Sequence, residues 1–225
     1  MIEISNLRKQ YSNDFRLEVD ELNINDGERV AIVGPNGSGK STLLRILAGT
    51  IAPDSGGVKI NGESVFLPQN PYCFQGSVLR NVRIGLNGSA KGRDSREAAL
   101  EALKRVELEK YSGKKASGLS GGEAQRMTLA RMLVKKHECL LLDEPLAAVD
   151  IEFCRKLENL LLDFCVGNGC TMLISTHLPV QAVSLSTKII IMNNGRIEEF
   201  GNTLDVIKHP NTKWGKMFLE QWRID

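Results

Sequence analysis

The feature that most constrains this chain is a glycine-rich run that lies between an apolar strand and a helical pattern. The run, Gly34-Pro-Asn-Gly-Ser-Gly-Lys-Ser41, fits the pattern G-x-x-x-x-G-K-S/T. It follows the β-branched stretch at 30–33, and a helical pattern continues from Lys40 to about Ala48 before Gly49 provides a suitable stop. Strand, tight loop and helix in this order are typical of a loop that binds phosphate groups.

The residue types in this run suit a phosphate chain with a bound cation. Glycines let the backbone curl so that several N–H groups converge on phosphate oxygens, and the following helix adds the positive end of its dipole. Lys40 would place a charge beside the β- and γ-phosphates, and the Ser41 hydroxyl would bind Mg²⁺. The alternative is a glycine-rich turn that fits by accident, which average residue usage allows in roughly 1% of chains of this length.

An apolar strand that ends in two carboxylates is the second feature. It reads Cys139-Leu-Leu-Leu-Asp143-Glu144-Pro145. A strand buried on both faces delivers its last residue to the carboxyl edge of the sheet, where ligands bind in open α/β folds. There Asp143 would hold Mg²⁺, and Glu144 would act as general base toward an attacking water. The alternative is a pair of ordinary surface acids on a solvated loop.

Strands and helical patterns alternate along most of the chain, which indicates a mostly parallel sheet covered by helices on both faces. The patterns predict strands at 58–60, 65–67, 139–142, 171–175, 188–192 and 196–200, and helices at 40–48, 121–135, 152–165, 180–186 and 212–222. Residues 71–118 differ, because helical spacing at 78–84 and 96–106 flanks a polar loop at 87–95. We interpret them as a helical lobe inserted into the α/β core.

Composition excludes several other classes of protein. The five cysteines form no C-x-x-C pair, which argues against a disulfide framework or a zinc site and suits a reducing compartment. The formal net charge of +2 gives no reason to expect nucleic acid as a partner. Residues 1–10 do not resemble a signal peptide, and no apolar stretch approaches the roughly 20 residues that span a bilayer.

A third motif resembles the signature sequence of ABC ATPases: Leu119-Ser-Gly-Gly-Glu123, followed by Gln125-Arg126. In physical terms, Ser120 and Glu123 predict a capping box at a helix start, and the two glycines leave N–H groups available to an anion. A helix N-terminus without a ligand is the alternative. Together with the phosphate loop and the acidic strand end, the motif identifies the chain as a member of the ABC ATPase family over essentially its whole length.

This resemblance implies one P-loop NTPase domain of the α/β class over residues 1–225. A RecA-like core with a mostly parallel sheet and a small N-terminal β subdomain would span about 1–70 and 119–225. The inserted helical subdomain would span about 71–118.

The resemblance also implies ATP and Mg²⁺ as ligands. It assigns the nucleotide to Tyr11, Gly34, Asn36, Gly37, Ser38, Gly39, Lys40, Ser41, Thr42, Ser120, Gly121, Gly122 and Asp150. It assigns the metal to Ser41, Gln69 and Asp143, and catalysis to Glu144, His177 and Gln69.

Four of these residues are assigned through shorter family motifs. Gln69 matches the Q-loop glutamine, which contacts Mg²⁺ and water, and His177 matches the switch histidine, which supports the γ-phosphate. Asp150 matches the D-loop at the dimer interface. Tyr11 stands where the family places an aromatic that stacks on adenine, although packing within the domain is the alternative for an N-terminal aromatic.

The family further implies a dimer that sandwiches two ATP molecules. The signature of one protomer would meet the γ-phosphate bound by the other, which is a second copy of this chain or a paralogous cassette. We expect the dimer to close around ATP and to reopen after hydrolysis, so that each ATPase cycle moves the two protomers relative to each other.

Two function classes remain open for that motion. The chain would power a transporter through a separate transmembrane permease and, in an importer, a solute-binding protein reached through that permease. Alternatively, it would be a soluble ABC ATPase that acts on ribosomes, DNA or Fe–S assembly. The transporter is favoured because translation-type members resemble two cassettes in one chain and repair-type members insert coiled coils, whereas this sequence holds one cassette and no sustained heptads.

Further resemblances favour an importer on the cytoplasmic, inner face of the cell membrane. The stretch at 113–118 lacks the acidic element that many fused exporters carry before the signature. The run at 67–86 is similar to cassettes of oxyanion importers, such as those for tungstate or molybdate.

Tyr72 and Phe74 lie where family transporters receive a coupling helix, although packing within the lobe is the alternative. The chain ends soon after the core, so we expect no C-terminal regulatory domain of the sugar-importer type.

Overall fold

The computed structural model describes residues 1–12, 15–89 and 91–222 of the chain and divides into two units. The first comprises Met1–Phe66, Glu138–Glu144 and Cys165–Asp225, and the second comprises Leu67–His137 and Pro145–Phe164. The helical subdomain at about 71–118 stays a prediction.

Nine strands in the described residues form one mixed sheet. They are β1 (Ile2–Ser12), β2 (Phe15–Ile24), β3 (Arg29–Val33), β4 (Ser55–Ile60), β5 (Ser64–Leu67), β6 (Cys139–Asp143), β7 (Thr171–Ser175), β8 (Lys188–Asn193) and β9 (Arg196–Asn202). Their order across the sheet is β4-β1-β2-β9-β8-β3-β7-β6-β5.

The centre of this sheet is parallel, as the sequence predicts. Strand β3 pairs in parallel with β7 and β8, and β7 pairs in parallel with β6. Every residue of β6 and β7 is buried, which explains why these segments are apolar rather than alternating. Antiparallel pairing joins β1 to β2 and β4, which form the predicted N-terminal β region, and also joins β8 to β9.

The helices of the described residues cover this sheet or build the second unit. They are α1 (Lys40–Leu47), α2 (Val78–Ile84), α3 (Gly92–Arg105), α4 (Gly121–Leu133), α5 (Ile151–Asn168), α6 (Pro179–Leu185), α7 (Thr203–Lys208) and α8 (Lys213–Glu220). Short 3₁₀ turns occupy Glu109–Tyr111 and Ala116–Gly118. None of these helices combines the length and hydropathy that a bilayer crossing requires.

One prediction about local structure was wrong, and one helix was not predicted. The polar loop predicted at 87–95 ends early, because α3 begins at Gly92 with Asp94 in its first turn and Ser95 buried. The Ser95 hydroxyl accepts a hydrogen bond from Arg83 Nε at 2.9 Å, a contact that residue type alone did not indicate. Helix α7 was not predicted, although Asn202 caps it by accepting hydrogen bonds from two backbone N–H groups.

One buried cluster fixes the start of α1 against the sheet. It joins β1, β2 and β3 to α1, with fully buried members that include Leu7, Leu17, Ile32, Leu43 and Leu44. Because the loop between β3 and α1 is anchored at both ends by this cluster, its few residues have little freedom to reorganise.

The hairpin between β8 and β9 contains a glycine that no other residue can replace without strain. Gly195 has φ 77°, and a Cβ on it would lie 1.9 Å from the Arg16 carbonyl oxygen. Its N–H donates to the Ser38 carbonyl oxygen at 2.9 Å, so this turn also supports the loop after β3.

Gly195→Ala should therefore destabilise the protein far more than Gly49→Ala. Gly49 has a similar φ of 68° but open space around its Cβ position, so its replacement carries only the left-handed backbone cost of about 1 kcal/mol. The added clash at Gly195 should bring the loss there to about 2–4 kcal/mol. Urea unfolding of the two variants measures this difference, and equal losses would contradict the clash.

Candidate functional site

The loop between β3 and α1 curls against the backbone of β8. Gly34 has φ 146°, and a Cβ at this position would lie 2.2 Å from the Met192 carbonyl oxygen. Only glycine therefore fits the first position of the loop. Ser38 is buried, and its Oγ has no hydrogen-bond partner among the described residues. Asn36 and Gly37 are exposed at the tip of the loop, whereas Gly39 is buried at its base.

The Lys40 side chain folds back onto the backbone of this loop. Its Nζ donates to the carbonyl oxygens of Gly34 at 2.9 Å and Pro35 at 3.1 Å. Burial lowers the pKa of Lys40, and the negative charges of Glu144 and Asp143 oppose that shift. The ammonium group is thus held beside the acidic strand end by partners that bear no full charge.

Asp143, the last residue of β6, is the buried carboxylate of the site. Its side chain is 1% exposed, and Oδ1 accepts hydrogen bonds from Ser41 Oγ at 3.0 Å and Ser175 Oγ at 2.7 Å. The second oxygen, Oδ2, is buried without a hydrogen-bond partner in the described part of the chain. A buried carboxylate oxygen without a donor is costly unless a cation binds it, so the arrangement fits a divalent metal ion beside Ser41.

Glu144 follows directly and has an unusual backbone. Its φ is 47°, a left-handed value that is uncommon for a residue with a side chain, and its N–H donates to Ser175 Oγ at 2.9 Å. The Glu144 Oε2 atom lies 3.6 Å from Nδ1 of His177, whose side chain is largely exposed. This end of the sheet therefore brings Lys40, Ser41 and Asp143 together with the Glu144–His177 pair.

Tyr11 lies on β1 with an exposed ring. Its ring centroid is 6.3 Å from that of Phe15, and the Phe15 ring lies 3.3 Å from the Cβ position of Gly39. Phe15 therefore packs at the base of the loop, a position that no motif indicated. Thr42 is half-buried in the first turn of α1.

The remaining predicted residues belong to the second unit. Ser120 caps α4, and the predicted capping box with Glu123 is confirmed: Ser120 Oγ accepts from Glu123 N–H at 3.3 Å, and Glu123 Oε2 accepts from Ser120 N–H at 2.7 Å. The Ser120 hydrogen bond lowers the pKa of Glu123. Gly121 has open space around its Cβ position.

The start of α4 packs against the segment that precedes α5. Gln125 Nε2 donates to the Pro145 carbonyl oxygen at 2.8 Å, and a Cβ on Gly122 would lie 3.0 Å from the Ala148 carbonyl oxygen. Asp150 Oδ1 accepts from Phe153 N–H at 3.0 Å at the start of α5. Gln69 is exposed after β5.

Sequence reasoning missed Ser175, which contacts both acids of the site. A small hydroxyl residue that ends a fully buried strand was the available signal, but its partners lie on another strand.

Comparisons with known proteins identify the family of this chain. The family model described as ABC transporter matches residues 17–147, more than half of the chain. The spermidine/putrescine import ATP-binding protein PotA of Mesoplasma florum is 32% identical over 237 aligned positions, covering all of this chain and 68% of that protein. The aliphatic sulfonates import ATP-binding protein SsuB 1 of Nocardia farcinica is 39% identical over 87% of this chain and 79% of its own.

The molybdenum import ATP-binding protein ModC of Mycobacterium tuberculosis is 34% identical over 90% of this chain. The chain spans 61% of that relative's length and about two thirds of the length of the PotA relatives.

Solved structures of cassettes match over nearly their whole length. A dimeric bacterial ABC transporter cassette has a TM-score of 0.83 at 31% identity, over 90% of this chain and 99% of that chain. A dimeric post-hydrolysis cassette bound to ADP and Pi has the same TM-score at 30% identity. The family model, the relatives and the solved cassettes agree: the chain belongs to the ABC transporter family and is an ATP-binding cassette that hydrolyses ATP.

Proposed function

We propose that this cassette is the energy-coupling subunit of a membrane importer. Two protomers would close around two ATP molecules and drive a separate transmembrane permease. The observation that carries the catalytic part is the cluster at the carboxyl ends of β3, β6 and β7, where Lys40, Ser41 and Asp143 meet the Glu144–His177 pair.

The loop after β3 would bind the triphosphate. Its backbone N–H groups and the start of α1 suit phosphate oxygens, and Lys40 would exchange its two carbonyl partners for the β- and γ-phosphates. Tyr11, exposed beside Phe15, would stack on the adenine ring.

The metal would be held by Ser41 and Asp143, with Gln69 as a further ligand. The unpartnered Oδ2 of Asp143 supports this assignment, because a cation would satisfy it. Bound Mg²⁺ would supply positive charge to the β- and γ-phosphate oxygens.

Glu144 would accept the proton of the attacking water. Its carboxylate lies within 3.6 Å of the His177 imidazole, which would hold the γ-phosphate and help orient the carboxylate. Each hydrolysis event would remove the γ-phosphate, which both protomers of the dimer would contact.

The dimer contacts would come from the second unit. Ser120, Gly121 and Gly122 at the start of α4 would meet the γ-phosphate bound by the other protomer, and Asp150 would lie at the interface. The dimeric form of the matching cassettes supports this arrangement. The other protomer would be a second copy or a paralogous cassette.

The names of the relatives support import over other uses of ATP. PotA, ModC and SsuB 1 are all import ATP-binding proteins, but their named cargoes are a polyamine, molybdenum and sulfonates. Such different cargoes at similar identity mean that the cassette does not identify its own cargo. Because these relatives are import ATP-binding proteins, we propose that the cassette lies on the cytoplasmic face of the membrane and binds a permease. The permease would receive its cargo from a solute-binding protein.

An exposed aromatic pair in the second unit supports permease docking. Tyr72 and Phe74 are 64% and 39% exposed and meet edge to face at 4.8 Å. Arg131 lies 4.8 Å over the Phe74 ring and donates to the Tyr72 carbonyl oxygen at 2.9 Å. The buried Asn81 side chain exchanges two hydrogen bonds with the Phe74 backbone. These contacts hold the pair in place at the surface, where an amphipathic helix of the permease would bind.

Lys40→Ala should weaken ATP binding by at least about tenfold, since it removes a charge-assisted contact to the phosphates. Calorimetric titration with ATP and Mg²⁺ measures the affinity. Lys59→Ala is the matched control, because Lys59 is an exposed lysine on β4 at the far edge of the same sheet. Unchanged affinity in Lys40→Ala would refute the phosphate role.

Glu144→Gln should bind ATP normally, hydrolyse it at least about 100-fold more slowly and accumulate as a dimer. Phosphate release and size-exclusion chromatography with ATP and Mg²⁺ measure these properties. Glu138→Gln is the matched control, since Glu138 immediately precedes the other end of β6. Normal turnover in Glu144→Gln would exclude this carboxylate as general base.

Tyr72→Ala combined with Phe74→Ala should abolish recovery of a multi-span membrane protein when the tagged chain is isolated from its native membranes in mild detergent. Mass spectrometry identifies the recovered proteins, and Tyr111→Ala, which truncates another exposed tyrosine of the same unit, should leave recovery intact. If the unaltered chain recovered only ribosomal, DNA-associated or Fe–S assembly proteins, the transporter proposal would fall while the ATPase remained.

A further inference from the structure

We propose that Ser175 is a positioning residue that sets the geometry of both acids, Asp143 and Glu144, through a single hydroxyl group. This inference rests on the proposed roles of those acids. Ser175 ends β7 and is paired across the sheet with Asp143 at the end of β6. Its side chain is 0% exposed, so no water competes for its hydrogen bonds.

The direction of both hydrogen bonds follows from the chemistry of the partners. A carboxylate only accepts, so the Ser175 hydroxyl proton is donated to Asp143 Oδ1 at 2.7 Å. A backbone N–H only donates, so a lone pair of the same oxygen accepts from Glu144 at 2.9 Å. One proton and one lone pair thereby connect the two neighbouring acids.

The contact to Asp143 selects which carboxylate oxygen remains for a cation. Oδ1 receives two donors, from Ser41 and Ser175, whereas Oδ2 receives none from the described residues. Without the Ser175 hydroxyl, Oδ1 would keep a single donor and the carboxylate could rotate between alternatives. We therefore infer that Ser175 orients Asp143 toward the metal.

The contact to Glu144 stabilises a backbone conformation that a residue with a side chain rarely adopts. Glu144 has φ 47°, and its N–H donates to the Ser175 hydroxyl directly after the pairing of β6 with β7 ends at Asp143. A strained conformation persists only where its surroundings determine it, and here the surroundings include this hydrogen bond. The direction of the Glu144 side chain depends on that backbone.

The test compares Ser175→Ala with Thr171→Val. Thr171 lies at the opposite end of β7, is equally buried, and accepts a backbone N–H from Gly27 at 3.0 Å, so its variant also removes a buried hydroxyl but touches neither acid. Binding of the non-hydrolysable analogue AMP-PNP is measured by calorimetry with EDTA and across a Mg²⁺ titration, beside kcat and KM for ATP and the melting temperature.

Ser175→Ala should leave binding in EDTA within about twofold of the unaltered protein. The Mg²⁺ concentration for half-maximal enhancement of binding should rise about tenfold, and kcat should fall about tenfold with a smaller change in KM, as expected when one buried hydrogen bond to a charged group is lost. Ser175→Thr, which keeps the hydroxyl, should leave the Mg²⁺ requirement and kcat close to those of the unaltered protein. If Ser175→Ala does not fold, Ser175→Cys provides the same comparison with a weak donor of similar size.

Two results would overturn the inference alone: an unchanged Mg²⁺ requirement in Ser175→Ala, or an equal change in Thr171→Val, which would assign the effect to strand stability. Failure of the proposed function has a different signature. Absence of Mg²⁺-dependent AMP-PNP binding in the unaltered protein, or normal hydrolysis by Glu144→Gln, would remove the roles of the acids themselves.

Discussion

The buried carboxylate of Asp143 is the constraint on which this site depends. Removing a charge from water is costly, so the fold surrounds one carboxylate oxygen with donors and leaves the other suited to a cation. The donors come from the start of α1 and the end of β7, because Ser41 and Ser175 both reach Oδ1. Both contacts require that β6 lies beside β7 and that α1 begins at the same edge of the sheet. The parallel centre of the sheet brings these segments together, since parallel strands end at one edge.

The phosphate loop is equally a product of distant chain segments. Met192 leaves room only for glycine at position 34, and the Gly195 N–H binds the Ser38 carbonyl oxygen. The β8–β9 hairpin therefore shapes a loop that lies about 160 residues earlier in the sequence. Because both ends of that loop are anchored in the buried cluster of β3 and α1, a bound phosphate would meet N–H groups that are already arranged.

In the second unit, a helix cap and a set of hydrogen bonds between distant segments fix two parts of the surface. The capping box of Ser120 and Glu123 provides acceptors for two backbone N–H groups at the start of α4, and all of its members lie within four residues. Arg131 and Asn81 form hydrogen bonds around the exposed Tyr72–Phe74 pair, and Arg131 also lies over the Phe74 ring. These contacts keep both aromatic rings at the surface. A surface that is already ordered in this way would reduce the entropy cost of binding the proposed permease helix.

The sequence by itself determined the features that depend on neighbours along the chain. The strand–loop–helix around Lys40, the acidic end of β6, the capping box and the parallel order of the core follow from spacing and residue type, because their interactions lie within a few residues or repeat with a regular period. Only the tertiary structure decided the early start of α3, the place of Phe15 beside Gly39, and the link from Ser175 to both acids. Each of these depends on a contact between segments distant in sequence, and no local pattern specifies which side chain will meet which partner across a sheet.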